Sequence, residues 1–242
     1  MGTAVKPYSN DGSKKQQVEE MFDNIAGSYD FLNRLLSLRI DVYWRKVAIN
    51  CLKDLNPKQI LDVATGTADT AIELTKRLSP DKIIGIDISN KMLDVGRVKI
   101  KDKSLTEIIT LQQADAENLP FEDNSFDATT ITFGIRNFEN VGKGLVEIKR
   151  CMRPGARLMI LEFARPNVFP LKQLFNVYFK YFLPLIGKLT SKDPRAYTYL
   201  YESVQAFPDR ERFVALMNEA GYKNTSFKSL TAGICCIYLG EK

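Results

Sequence analysis

The sequence predicts an α/β fold. The expected core is a doubly wound, mostly parallel seven-stranded sheet, with helices before it and a helical insertion after its fifth strand. Three observations carry that expectation. Short apolar runs of strand composition alternate with helix-period segments from 59 to 163, the rhythm of crossovers that cover both faces of a parallel sheet. The first run feeds a turn of small residues, LDVATGTADTA (61–71). Acids close three successive runs at Asp62, Asp87 and Asp115, and ligands of such sheets sit at the carboxyl ends of the strands.

The elements follow in order. Residues 1–17 are small, polar and basic and read as a flexible tail. From 18 to 52 the apolar spacing is helical, with Val18, Met21, Phe22, Ile25, Tyr29 and Leu32 on one face. Asp41 is placed to cap a further helix through Trp44 and Leu52. Strands are expected at 59–64 (QILDVA), 82–87 (KIIGID), 108–114, 126–132 (FDATTIT) and 157–163 (RLMILEF), with helices at 69–78, 89–101 and 141–152. Ser89 has the side chain and position of an N-cap. The rhythm stops at 163–207, which holds 11 of the 25 aromatics and six Lys/Arg against two acids. A helix at 209–220, ended by Gly221, precedes two strands at 223–230 and 234–239.

Composition bounds the function. The chain has 242 residues, 45% hydrophobic and 26% charged, the balance of a globular protein of about one domain. No apolar run is long enough to span a bilayer, and the N-terminus lacks the apolar stretch of a signal peptide. The four cysteines form no CxxC pair, so buried thiols are expected. There is no histidine. Ser-His-Asp and Cys-His chemistry and a His-ligated metal are therefore excluded, and no metal site is expected. Proton transfer falls to carboxylates, tyrosine, lysine or water.

The turn at 64–68 has one glycine, Gly66, where a dinucleotide site wants G-x-G-x-x-G. Asp62 beside it suits a cationic or neutral ligand. Asp87 can accept two hydrogen bonds from a ribose diol. Asp115 can accept an adenine amine, with the Ala116 amide facing the ring. The crevice between these acids reads as free of Lys and Arg, which fits an adenosine ligand without phosphates. A single such Asp is as readily a cap; three at successive strand ends are not.

LDVATGTAD, GID, AD-x3-LPF, FDATT and RPGARLMILEF, in this order, resemble the class I S-adenosylmethionine-dependent methyltransferases, whose sheet is Rossmann-like. Further runs sharpen this: IAGSYDFLNRLLSLRIDVYWRK (25–46), FGIRNFEN (133–140), AYTYLYESVQAFP (196–208) and LTAGICCIYLGEK (230–242). Together they resemble the demethylmenaquinone methyltransferase family of menaquinone and ubiquinone biosynthesis, across 18–242. Where that family's loop carries glycine, this chain has Ala64 and Ala68.

The resemblance implies S-adenosyl-L-methionine as cofactor. It implies Thr67, Asp87, Asp115, Ala116 and Thr132 as its contacts, with Asp62, Gly66, Asp69 and Met92 in support. It implies one methyltransferase domain over 18–242, with cap helices at 18–55 and a lid at 164–207. The implied reaction joins the methyl to a ring carbon of a prenylated demethylmenaquinol, and a benzoquinol acceptor stays open. Hydroquinone carbon is a weak nucleophile until a ring hydroxyl ionises, so a cation near that oxygen helps. Arg136 is the candidate, as a cation or as the anchor of a water. Asp69, Tyr29, Asn137 and Tyr201 are further catalytic or quinol-binding candidates. In the lid, Phe169, Phe175, Tyr178, Phe179, Phe182 and Leu185 are expected to line a tail groove. Lys172, Lys180, Lys188, Lys192 and Arg195 are expected to face an anionic membrane. The implied location is cytoplasmic, peripheral to the inner face of the membrane.

Other readings stay in view. A methyltransferase for a sterol or fatty acid explains the cofactor half but not FGIRN or AYTYLYES. A cofactor-binding scaffold of a quinone-synthesis complex is the reading from another class. A nucleic-acid enzyme is disfavoured by a net charge of only +5 and an aromatic, not strongly basic, insertion. Homo-oligomerisation is left open.

Overall fold

The computed structural model describes residues 5–8, 11–178, 181, 193 and 195–242. Helices α1 (Lys14–Ile25), α2 (Tyr29–Leu36) and α3 (Ile40–Asn50) precede the sheet. The alternation then runs β1 (Gln59–Val63), α4 (Asp69–Leu78), β2 (Lys82–Asp87), α5 (Asn90–Asp102), β3 (Ile109–Gln113) and β4 (Phe126–Thr132). It continues through α6 (Val141–Cys151), β5 (Met152–Phe163), α7 (Leu171–Val177) and α8 (Arg195–Ala206), and ends with α9 (Glu211–Glu219), β6 (Lys223–Leu230) and β7 (Cys235–Glu241). The insertion positions Phe179, Phe182, Leu185, Lys180, Lys188 and Lys192 lie outside the described residues.

The described strands form a seven-stranded sheet in the order β3-β2-β1-β4-β5-β7-β6, with β7 antiparallel to both neighbours. Its central strands are apolar at consecutive positions because both faces are covered. Leu61, Leu158 and Ile160 pack on one face; Ile60, Met159 and Leu161 pack on the other. The edge strand β6 instead exposes Lys223 and Lys228, which discourages pairing with another chain. The strand order reverses between β1 and β4, opening a crevice at their carboxyl ends. Val63 registers with Ile86 and Ile131. Asp87 and Thr132, one residue on, therefore lie on that same edge.

Two expectations at the N-terminus are corrected. The flexible tail does not extend to residue 17: α1 begins at Lys14, with the Ser13 hydroxyl accepting from the Gln16 N–H at 3.2 Å. Asp41 is not a cap. Arg39, with φ of 64°, precedes α3, and Asp41 lies in its first turn. There it pairs with Arg34 and accepts from the Ser37 hydroxyl at 2.7 Å. Ser89 caps α5 as expected, accepting from the Met92 N–H at 3.2 Å.

The loop from β1 to α4 holds left-handed backbone at Ala64 (φ 52°), Gly66 (φ 55°) and Ala68 (φ 65°). An L-residue there costs roughly 1–2 kcal/mol, which glycine avoids. The alanines thus keep the glycine conformation at a cost. Ala64 also crowds the chain after β4: a Cβ on Gly134 would lie 2.4 Å from the Ala64 Cβ. Gly134→Ala is expected to lower stability by about 1–3 kcal/mol, the usual cost of overpacking. Adding Ala64→Gly should recover most of that loss. Urea melts of the singles and the double check this, and additive losses would refute the contact.

Candidate functional site

Two cavities lie at the carboxyl edge of the sheet. The first is a cleft over the ends of β1, β2 and β4, lined by Gly66, Asp87, Met92, Asp115, Ala116, Thr132 and Asn137. The second is larger, about 440 Å³, and runs beneath α2, α3 and α8. Its lining is largely apolar and includes Trp44, Phe163, Phe175 and Tyr178. Phe22, Tyr29, Ala64, Gly66, Thr132 and Phe133 line both, so the two meet over the loop after β1.

Asp87 is the last residue of β2, and its carboxylate accepts the N–H of Gly66 at 2.8 Å and of Ser89 at 2.9 Å. Burial pushes its pKa up to about 6, with those amides pulling it back. Asp115 accepts the Glu117 N–H at 2.9 Å and is paired with Lys15 from α1. The cleft is therefore not free of cations, as the sequence suggested. Asp87, Asp115, Glu117 and Glu139 still outnumber Lys15 there. A net negative cleft of this kind suits a positively charged ligand and repels phosphate.

Two residues expected at the cofactor do not line this cleft. Asp62 lines neither cavity. β1 ends at Val63, so Asp62 lies within the strand and accepts from the hydroxyls of Thr65 and Thr130, both at 2.6 Å. Burial pushes its pKa up to about 6. Thr67 borders only the larger cavity. Its hydroxyl donates to Asp30 at 2.6 Å and accepts from Lys99 at 3.1 Å.

Asp69 also borders the larger cavity but is surrounded by cations: Lys99 Nζ at 2.5 Å, Arg34 in contact, and Arg45 at 4.0 Å. Burial would raise its pKa, but Arg45, Lys99 and Arg34 outweigh that and hold it below the ordinary carboxylate value. It braces the loop and is not free to take a proton. Tyr201 lines neither cavity. It is two positions along α8 from Tyr199, about 200° around the helix, and Tyr199 is the residue that faces the cavity.

Arg136 reaches the larger cavity as expected, but as half of an ion pair. Its Nη1 meets Glu162 at 2.8 Å, and Glu162 is fully buried. Its guanidinium lies 5.7 Å from the Phe163 ring centroid. The Arg136 Nε, Asn137 Oδ1, Thr132 Oγ1 and Tyr199 hydroxyl are buried with no hydrogen-bond partner among the described residues. Unpaired buried polar groups are uncommon, and these four sit on the two cavities. Tyr29 lies where the cavities meet. Burial pushes its pKa up against the pull of Arg136.

Several site residues had little sequence signal. Lys14 is buried, and its ammonium donates to the carbonyls of Arg136 at 2.8 Å and Phe138 at 2.9 Å. Burial, with Arg136 nearby, lowers its pKa to about 8. Lys14 and Lys15 fall in what reads as tail. Lys99 reads as an ordinary helix-surface charge. Glu162 did leave a trace: an acid inside the apolar strand MILEF needs a buried cation.

A sequence model of the ubiE/COQ5 methyltransferase family matches residues 10–242. A demethylmenaquinone methyltransferase of Bacteroides fragilis is 50% identical over 98% of this chain and 97% of its own. A ubiquinone/menaquinone biosynthesis C-methyltransferase, UbiE, of Geotalea daltonii is 46% identical over 95% and 97%. Among solved structures, a SAM-dependent methyltransferase of Thermotoga maritima superposes with a TM-score of 0.65 over 93% of this chain and 99% of that one. At 17% identity that likeness is one of fold.

Proposed function

The chain belongs to the ubiE/COQ5 methyltransferase family, and from that premise we propose that it methylates a ring carbon of prenylated demethylmenaquinol in menaquinone biosynthesis, using S-adenosyl-L-methionine. The observation that carries this reading is the meeting of an acidic cleft and a larger apolar cavity at Ala64, Gly66, Thr132 and Phe133. One suits a small cationic donor. The other suits an apolar, aromatic acceptor.

When bound, S-adenosylmethionine supplies an electrophilic methyl on a positively charged sulfur. Asp87 would hold the ribose diol, Asp115 and the Ala116 amide the adenine. Met92 and Gly66 complete the wall, with Thr132 and Asn137 offering unpartnered oxygens. The acids of the cleft favour the sulfonium charge. The junction residues align the two reactants, and alignment can supply on the order of 7–11 kcal/mol. In the larger cavity the acceptor's phenol must ionise before its ring carbon attacks. Arg136 offers the unpartnered Nε–H to that oxygen, while Glu162 fixes the guanidinium from its other side. The chain has no histidine and Glu162 is held by Arg136, so water takes the phenolic proton. Once the ring carbon holds the methyl, its own hydrogen leaves as a second proton to restore the aromatic ring, and one of the two protons returns to the oxygen.

The same proposal includes peripheral attachment to the inner face of a membrane. No helix among the described residues is long and apolar enough to cross one. Phe31, Leu35, Leu38 and Tyr43 around α2 and α3, and Phe169 and Leu174 on the insertion, are exposed. Leu38 and Leu174 also line the larger cavity, so its mouth is apolar. Arg39 and Lys172 are exposed nearby. A prenyl tail leaving that mouth would pass directly into lipid.

Three outcomes are expected. Labelled S-adenosylmethionine should methylate chemically reduced demethylmenaquinol in liposomes faster than the ubiquinone precursor. A reversed preference moves the pathway, and cofactor binding without turnover on either favours a scaffold. Cofactor affinity should weaken as pH falls through about 6, where Asp87 takes up a proton and loses acceptor capacity, by roughly tenfold per unit below it. The folding effect has the opposite sign: the raised pKa makes ionisation between 3.8 and about 6 a cost to the folded state. Calorimetric titration should find the affinity slope flattened in Asp87→Asn, and an unchanged slope would exclude Asp87. Finally, the protein should sediment with anionic vesicles. The double variant Phe31→Asp, Phe169→Asp should partition at least about tenfold less, because burying each ring contributes about 1.5–3 kcal/mol. Equal sedimentation would place the contact elsewhere.

A further inference from the structure

We propose that the Tyr199 hydroxyl donates a hydrogen bond to a ring oxygen of the aromatic acceptor and so sets its orientation in the larger cavity. The inference rests on the reading of that cavity as the acceptor site. Tyr199 is 1% exposed and among the largest fully buried side chains, yet its hydroxyl has no partner among the described residues. A phenol in this state costs the fold the desolvation of a polar group with nothing in return, and phenylalanine would fill the same volume without that cost. The side chain borders the larger cavity, as do Arg136 and Phe163. α8 packs against the turn Ile135–Asn137 that carries Arg136.

The electrostatics keep its donor proton in place. Burial pushes the phenol's pKa far up, Arg136 draws it back in part and Glu162 adds to the rise. The hydroxyl keeps its proton through the physiological range, so it donates a hydrogen bond and does not act as a base. The Nε–H groups of Arg136 and Arg45 and the Thr132 hydroxyl, on residues that border the same cavity, are likewise without a partner among the described residues. Unmatched donors in an apolar, aromatic-lined space define the ligand class they recognise: a flat apolar ring bearing oxygen acceptors. A hydrogen bond to the oxygen strengthens as that oxygen gains charge, so the same contact favours the ionised acceptor.

The test is Tyr199→Phe, read on binding and on turnover. Reduced 1,4-dihydroxynaphthalene and naphthalene are titrated anaerobically against both proteins by fluorescence. The wild type should prefer the diol by about tenfold, and the variant should bind the two within about threefold of each other. Methyl transfer to the reduced quinol should fall in the variant. Its cofactor affinity should be unchanged, and its melting temperature unchanged or raised, because no native hydrogen bond is lost. An unchanged preference for the diol, no preference in the wild type, or a melting temperature several degrees lower would each overturn the proposal. A wild type that prefers the diol but methylates no quinol would sink the reaction reading and leave the hydrogen bond standing.

Discussion

The arrangement depends on a cluster of charges around Lys99. Its ammonium meets Asp30 at 2.7 Å, Asp69 at 2.5 Å and the Thr67 hydroxyl, while Arg34 bridges Asp69 to Asp41. These residues come from α2, α3, α4, α5 and the loop after β1. The cluster ties α2 and α3 together over the strained loop where the cavities meet, while Trp44, Ala48 and Ile49 of α3 also pack into the core on the sheet. Being only partly exposed, these pairs are screened less than surface pairs. Removing one partner would leave unmatched charge beneath the site, which is the costly case. Without this brace the larger cavity would have no roof.

The second constraint is charge neutrality in that cavity. In the proposed reaction Arg136 is the cation for an ionising phenol, but a lone guanidinium buried beside Phe163 and Phe133 would be expensive. Glu162 removes that cost and also accepts the backbone N–H of Phe163 at 2.9 Å. Arg136 then borders the cavity as a neutralised pair with one N–H unpartnered, more than as a bare charge. An apolar tail can share the space with it. The acidic cleft next door follows the other logic, with carboxylates exposed to a ligand that brings its own positive charge.

Much of the sheet and part of the candidate site were legible because they obey short-range rules. The apolar strand runs and the Ser89 cap are local. Asp87 reaches the cleft because it is the final residue of its strand. Asp62 misled because β1 runs one residue further than the acid, so neighbouring strands enclose it. Thr67 misled because a partner from α2 had already taken its hydroxyl, and no local pattern announces a contact 37 residues away. Tyr201 and Tyr199 differ only by helix phase, which spacing settles once the packed face is known. Lys14 and Lys15 were illegible for a different reason. Their partners are carbonyls and a carboxylate brought near by the crossover topology, and a polar, basic stretch before the first apolar period reads as solvent-exposed chain.

Those lysines bear on how the chain is made. Lys15 pairs with a residue 100 positions downstream, and Lys14 grips carbonyls 122 and 124 positions downstream. At roughly 5–20 residues per second, synthesis delivers the first helix several seconds to some twenty seconds before the surface it seats on. During that interval, and until Phe175, Tyr197 and Tyr199 follow, its apolar stripe of Val18, Met21 and Ile25 lacks the residues it packs against in the fold, and the nascent chain offers an amphipathic segment to chaperones and to the bilayer alike. The lysines that tie the first helix to the candidate site are among the first residues translated and among the last to find their partners.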